Sequence, residues 1–162
     1  MTNATPGRGG RQLPTAEQLR IWRDFIETTQ TLGSRLTSRL QTECALSPGD
    51  YAVLLALSEA EDRQLRSSEL ATRIGWERSR LSHHLGRMER RGLIRRQESA
   101  ADPRGAEVLL TEAGAEAFQR STYPHLRAIR ELFVDALTPE QLVAAGEIAA
   151  ALRDRLDRQQ DG

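Results

Sequence analysis

A mainly α-helical fold with one small β-hairpin is the class this sequence predicts, and three observations predict it. Five helix-start signals, at Thr15, Ser47, Ser67, Thr111 and Thr138, are each followed by apolar residues at helical spacing. Two short runs, 93–97 and 106–110, read instead as strands, with Pro and Gly punctuating the connection between them. The composition, 38% hydrophobic, 4% aromatic and 28% charged, suits helices with an aliphatic core and many surface ion pairs.

Taken in order, residues 1–14 are rich in Gly, Arg, Thr and Asn without periodicity and are expected to form a disordered tail. Thr15-Ala16-Glu17-Gln18 is a capping box, threonine accepting at the helix start and glutamine reaching back. The helix it opens runs to about Glu43 and carries an apolar stripe of Leu19, Trp22, Phe25, Ile26, Leu32, Leu36 and Leu40. Ser47-Pro48-Gly49-Asp50 starts a second helix, with a serine cap, proline in the first turn and an acid facing the positive end of the helix dipole. Its apolar run, Tyr51, Val53, Leu54, Leu55 and Leu57, predicts core. A short strand is expected at Leu65, and then a helix capped by Ser67 with Leu70, Ala71 and Ile74 turned inward.

A tight turn at Gly75 leads to the next helix, and on a wheel at about 100° per residue its two faces separate. Leu81, Leu85 and Met88 share one face, with Trp76 close to it at the entrance. The opposite face holds Ser79, His83, Gly86 and Arg90, flanked by Arg80, Ser82 and Arg87. Arginine on a helix surface is most often only a solvated face. Gly86 argues for more, because glycine costs a helix interior about 1 kcal/mol against alanine. A groove wall that must come close to the backbone is a reason to keep it. Arg90-Arg91-Gly92 ends the helix with basic residues at its negative end and a left-handed cap. Leu93 to Gln97 and Ala106 to Leu110 then pair as a hairpin, or wing, whose tip carries Asp102-Pro103-Arg104. Thr111 caps a long helix to about Ala136, with Pro124 expected to bend it. Thr138-Pro139-Glu140-Gln141 boxes a last helix with apolar Leu142, Val143, Ile148, Ala149, Leu152 and Leu156.

Net charge is zero, with 23 basic and 23 acidic residues, but it is unevenly spread. Between Arg63 and Arg104 there are 11 arginines against 5 acids, a net +6, which leaves 12 basic and 18 acidic residues elsewhere, a net −6. A basic middle between acidic ends is the footprint of a polyanion on one part of the surface. Helix, helix, short strand, helix, helix, hairpin and two further helices make a winged helix-turn-helix core with N- and C-terminal helical extensions. The expected organisation is 1–14 tail, 15–46 N-terminal dimerisation helix, 47–111 DNA-binding core and 112–162 C-terminal dimerisation helices.

From Ile74 to Gly114 the residues IGWERSRLSHHLGRMERRGLIRRQESAADPRGAEVLLTEAG resemble the core signature of the MarR family of bacterial transcriptional regulators. The matching pieces are RMERRGLIRR at the end of the reading helix, Asp102-Pro103-Arg104 in the wing, and V-x-L-T-x-x-G from Val108 to Gly114. The resemblance implies a homodimer whose terminal helices interdigitate and set two winged helices on a palindromic operator in double-stranded DNA. Leu19, Trp22, Phe25, Ile148 and Leu152 are the dimerisation residues expected, since a small winged-helix core cannot cover them. Ser79, Arg80, Ser82, His83 and Arg87 are expected in or beside the major groove, with Arg80 or Arg87 able to grip guanine bidentately. Ser67, Ser68 and Arg78 are assigned to phosphates. Arg104 is assigned to the minor groove, with Asp102 orienting it, although an ordinary turn role for Asp102 stays open. Family members commonly bind small aromatic effectors between the dimer helices and the winged helix, and Trp22, Phe25 and Tyr51 are the ligand-lining residues to consider.

Enzymatic chemistry is not indicated: there is no G-x-S-x-G, P-loop or H-E-x-x-H pattern, and no catalytic residue, cofactor or metal ligand is assigned. His83 and His84 are adjacent, so their side chains point about 100° apart and do not chelate as an i, i+4 pair does. Cys44 lies at the end of the first helix, away from where the family's peroxide sensors place theirs, and reads as a structural thiol. A lone cysteine, the lack of any stretch approaching the roughly 20 apolar residues of a membrane span, and an N-terminus without an apolar core point to the cytoplasm, which the resemblance implies is bacterial, with the protein on the nucleoid. The function expected is therefore a sequence-specific repressor relieved by a small-molecule effector, with no membrane partner. The alternative is a winged-helix protein–protein interaction module without a specific DNA target.

Overall fold

A computed structural model describes residues 13–98 and 106–160. The elements follow the expected order: α1 (Ala16–Cys44), α2 (Pro48–Ser58), β1 (Gln64–Arg66), α3 (Ser67–Ile74), α4 (Arg78–Arg90), β2 (Ile94–Glu98), β3 (Ala106–Leu110), α5 (Glu112–Ile129) and α6 (Pro139–Gln160). The capping boxes at Thr15 and Thr138 form; at Thr15 the hydroxyl accepts from the Gln18 amide at 3.2 Å while the glutamine carbonyl accepts from Thr15 N at 2.9 Å. Ser47 caps α2 reciprocally with Asp50.

One expectation needs correction. Ser67 is the first residue of α3 and not its cap: the cap position falls on Arg66, whose amide donates to Glu69 Oε2 at 3.2 Å. The carboxylate three residues on thus supplies the reciprocal half of a capping box, binding the amide of the cap residue. Pro124 lies within α5, which runs helical through it, and a π turn follows at Arg130–Val134.

The sheet has the order β1-β3-β2, all antiparallel, so the wing strands close over the residues preceding α3. Leu65 is paired with Val108 and Arg96 with Val108 from the other side. The core sits where α2, α3 and α4 meet this sheet. Val53, Leu54 and Leu57 from α2, Leu70 from α3, Leu81, Leu85 and Met88 from α4, and Ile94 and Val108 from the wing are all within 2% of full burial. Each such side chain contributes roughly 1.5–3 kcal/mol by leaving water. The V-x-L-T-x-x-G run has a mechanical role in this arrangement. The Thr111 hydroxyl donates to the Gly92 carbonyl at 2.6 Å and accepts from the Gly114 amide at 3.0 Å, tying the start of α5 to the end of α4. Gly92 itself has φ +74°, the left-handed turn that sends the chain from α4 into the wing.

Outside this centre the packing thins. Along α1 the stripe passes from exposed (Leu19, Trp22, Phe25) through half-buried (Ile26, Leu32, Leu36) to buried Leu40. In α6 only Ala145 is half-buried between Pro139 and Gln159; every other residue there is exposed. No helix among the described residues is long and apolar enough to cross a membrane.

Candidate nucleic-acid interface

The helix α4 is split as its wheel predicts. Leu81, Leu85 and Met88 anchor one side in the core, and Arg78, Ser79, Arg80, Ser82, His83 and Arg87 are exposed on the other. Ser68 is exposed at the start of α3 and Ser67 half-buried beside it. Asp102 and Arg104 lie outside the described residues.

The wing root is fastened to α4 by a pair that sequence reasoning missed. Glu89 Oε1 accepts from the Arg96 amide at 2.8 Å, while Oε2 accepts from Arg96 Nε at 2.9 Å and Nη2 at 2.8 Å. Those bonds to Arg96 hold the Glu89 carboxyl below the usual range. Together Ser79, Ser82, His83, Gly86, Arg90 and Arg96 line an open groove along the exposed face of the helix.

A second missed cluster lies under the N-terminal half of α4. Asp50, 3% exposed, receives Arg91 Nη1 on Oδ2 at 2.6 Å and the Ser47 amide on the same oxygen at 2.9 Å. Burial pushes its carboxyl up, but the bonds from Ser47 and Arg91 outweigh burial and leave it below the ordinary value. Arg91 Nη2 also donates to the Ala45 carbonyl at 2.7 Å, closing the end of α1 onto the end of α4. His84, 7% exposed, puts Nε2 3.0 Å from Asp50 Oδ1, close enough for an ionic contact but not aligned as a good hydrogen bond. Its Nδ1 stands 2.8 Å from Arg87 Nη2. Burial lowers the His84 pKa, and the neighbouring Arg87 and Arg91 add to that against the opposing pull of Asp50. The Trp76 ring meets His84 edge-on at 5.2 Å and 85°, and the Arg80 guanidinium lies 4.1 Å over the Trp76 ring, a cation–π contact. The signal for this cluster was on the wheel: His84 is three residues after Leu81 and four before Met88, on the buried side.

The residues considered for a ligand are not brought together within one chain. Tyr51 is half-buried, its ring 4.4 Å from that of His125 at a tilt of 51° and 5.3 Å from that of Phe118, near Cys44. Trp22 is 22 residues earlier on α1, about 33 Å along the axis at a rise of ~1.5 Å per residue. It is 59% exposed and Phe25 42% exposed. Burial, with Glu43 nearby, pushes the Cys44 thiol up, which disfavours the reactive thiolate. Among the described residues no three His, Cys, Asp or Glu side chains gather as metal donors.

Split reading helix, short sheet and hairpin define the class: a winged helix-turn-helix protein. The MarR family model matches residues 46–105, from just before the α2 cap to the residue before β3. The chain is similar to Sco3205 of Streptomyces coelicolor, a MarR family transcriptional regulator solved in complex with DNA, with 36% identity, a TM-score of 0.86 and coverage of 92% of this chain and 93% of that one. Similarity to AbsC of the same organism, also a MarR family transcriptional regulator, is 34% with a TM-score of 0.83, over 90% of this chain and 98% of that one. The transcriptional repressor MprA of Escherichia coli strain K12 is 30% identical over 113 residues, 69% of this chain, and the match spans 64% of that repressor's length. The chain belongs to the MarR family.

Proposed function

We propose that the protein is a homodimeric transcriptional repressor that binds a palindromic operator in double-stranded DNA and is released by a small-molecule effector. The observation that carries the DNA reading is the exposed face of α4. Two arginines on it, Arg80 and Arg87, are each held by a partner from the same cluster while their remaining donors face solvent. Arg80 and Arg87 supply bidentate guanine contacts, Ser79, Ser82 and His83 fill the rest of the major groove, and Ser67, Ser68 and Arg78 reach phosphates. Arg104, oriented by Asp102, enters the minor groove. That Sco3205 was solved with DNA and that MprA is a repressor support this reading.

The dimer reading is supported by Leu19, Trp22, Phe25, Ile148 and Leu152, each 42–59% exposed on terminal helices, beside a core whose own leucines are buried. A stripe of this kind in a helix-rich protein is covered by a second copy. Trp22 and Phe25 of one subunit can then approach the Tyr51 region of the other, which is where an aromatic effector would lodge. The expected place of action is the bacterial cytoplasm, on the nucleoid.

The test is selection of random duplexes against the full chain, followed by affinity as a function of salt. A palindromic consensus is expected. Neutralising 6–10 phosphates lowers affinity by about 10³–10⁵ between 50 and 200 mM salt. No consensus and a flat salt dependence would instead indicate a winged-helix module for protein partners.

A further inference from the structure

We propose that His84, which faces the core and not the groove, is a positioning residue that fixes Arg87 for base contact. The inference rests on the DNA-binding reading above and adds to it a residue that touches no DNA.

The argument begins with donors and acceptors. Arginine has five N–H donors and no acceptor. A guanidinium nitrogen 2.8 Å from an imidazole nitrogen therefore requires a lone pair on that nitrogen. His84 Nδ1 carries no proton, and the single ring proton of the neutral imidazole sits on Nε2, facing Asp50 Oδ1 at 3.0 Å. The donor from Arg87 requires that tautomer, and the Asp50 carboxylate beside Nε2 favours it electrostatically. Asp50 is in turn held by Ser47 and Arg91, so the orientation is relayed from the cap of α2. Arg87 gives one N–H to His84 and keeps four, enough for a bidentate contact with a guanine edge.

The packing leaves His84 little freedom. It is clamped between Trp76, whose ring its edge meets, and the backbone of α2 at Gly49. A Cβ at Gly49 would stand 2.6 Å from Trp76 Cη2 and 2.9 Å from His84 Cε1, so this spot tolerates no side chain without moving both rings. The same Trp76 carries Arg80 on its face. Both arginines assigned to guanine are thus set from beneath, and ordering them before DNA arrives removes part of the side-chain entropy that binding would otherwise cost. The charged groups facing the imidazole are Asp50 from α2 and Arg87 and Arg91 from α4, with Arg80 across Trp76. Protonation would put a hydrogen on Nδ1 and turn the acceptor for Arg87 into a repelling donor.

The experiment uses the full chain and its selected operator, with a panel of single-base variants. The chains compared are wild type, Arg87→Ala, His84→Leu, His84→Asn and the double variant His84→Leu/Arg87→Ala. Arg87→Ala identifies the base that Arg87 reads, with discrimination there falling roughly 5- to 150-fold, the span of a bidentate contact. His84→Leu fills the same space without an acceptor and is expected to lose discrimination at that same base, with the double variant no worse than Arg87→Ala alone. His84→Asn can place an amide oxygen where Nδ1 was and is expected to retain most of the discrimination. A wild-type profile for His84→Leu beside an altered one for Arg87→Ala overturns the proposal, as do additive losses in the double variant. If Arg87→Ala itself changes no preference, the assignment of Arg87 as a reader has failed, and the proposal with it. Should His84→Leu not fold, His84→Ala, which removes the acceptor without adding bulk, gives the same test: discrimination at that base is lost, and an unchanged profile overturns the proposal.

Discussion

The helices α4 and α6 are both amphipathic and both incomplete, in opposite senses. In α4 the apolar side is finished within the chain, with Leu81, Leu85 and Met88 no more than 1% exposed, and the polar side is left open. In α6 the apolar side is the open one: Leu142, Val143, Ile148, Leu152 and Leu156 are 37–64% exposed. An open polar face with arginines on it is stable in water and can wait for a polyanion. An open apolar stripe costs about 25 cal/mol for each Å² left in water and calls for a protein partner. The difference separates what the chain completes by itself from what it completes by association, and it predicts that the two halves fail independently.

The largest effect should come from α6. Ile148→Glu with Leu152→Glu puts two charges into the stripe, and sedimentation should show a monomer whose helical content is otherwise preserved. A monomer reads one half-site, so operator affinity should fall by about 10²–10⁴, the advantage of linking two sites. A dimer that survives both charges would mean the stripe is not the interface.

Next in size is the cluster beneath α4. Asp50→Ala removes the acceptor for Arg91 and the Ser47 box together. Losing one partner of a fully buried ion pair costs about 3–5 kcal/mol. Arg91 is 44% exposed, so about 2–3 kcal/mol is expected by denaturant unfolding. The pH dependence follows from the direction of each shift. The Asp50 pKa is lowered on folding, so its contribution is present above the unfolded value near 4 and is lost as pH falls through the lower folded value. The His84 pKa is also lowered on folding. Its neutral form is favoured, so its contribution is complete above about 6.5 and declines as pH falls from there toward the folded value. Between pH 7 and 5 the wild type should lose more stability than His84→Leu. His125, lowered by burial as well, should leave a residual slope in both.

What could be read from the sequence divides along the same line. Periodicity and caps are local, and they located the starts of α1, α2, α5 and α6, that of α3 to within a residue, the hairpin and the division of α4 into faces. They also marked the terminal stripes as too apolar for a small core to cover. Relations across the chain were harder. Asp50 and Arg91 are 41 residues apart, and nothing in either neighbourhood announces the other. Glu89 and Arg96 are only seven apart, but their bidentate pair depends on the sharp turn at Gly92 bringing the strand back along the helix. His84 was legible on the wheel, since it shares the face of Leu81 and Met88, yet as one of two adjacent histidines it was weighed only for metal binding. Ser67 was misread because the helix starts one residue sooner, with Arg66 at the cap position and its amide bound by Glu69.

The smallest effect expected is also the one in which the two aspects of α4 pull apart. Gly86 is an interior helix position, and a methyl added there would meet nothing nearer than Arg96 Nη2 at 3.8 Å, ordinary contact distance. No neighbour among the described residues therefore requires glycine. Gly86→Ala should raise stability by about 1 kcal/mol. For a chain of this size that is about 2–4 °C in Tm. If Gly86 is where the groove comes closest to the helix backbone, the same methyl must push the helix away from the base edges. Operator affinity should then fall while the Tm rises, and base preferences at the neighbouring positions should weaken together, since the whole helix is displaced. A variant that is more stable and binds as well as the wild type would move the point of closest approach away from Gly86, toward the end of the helix where Arg90 and the wing root lie.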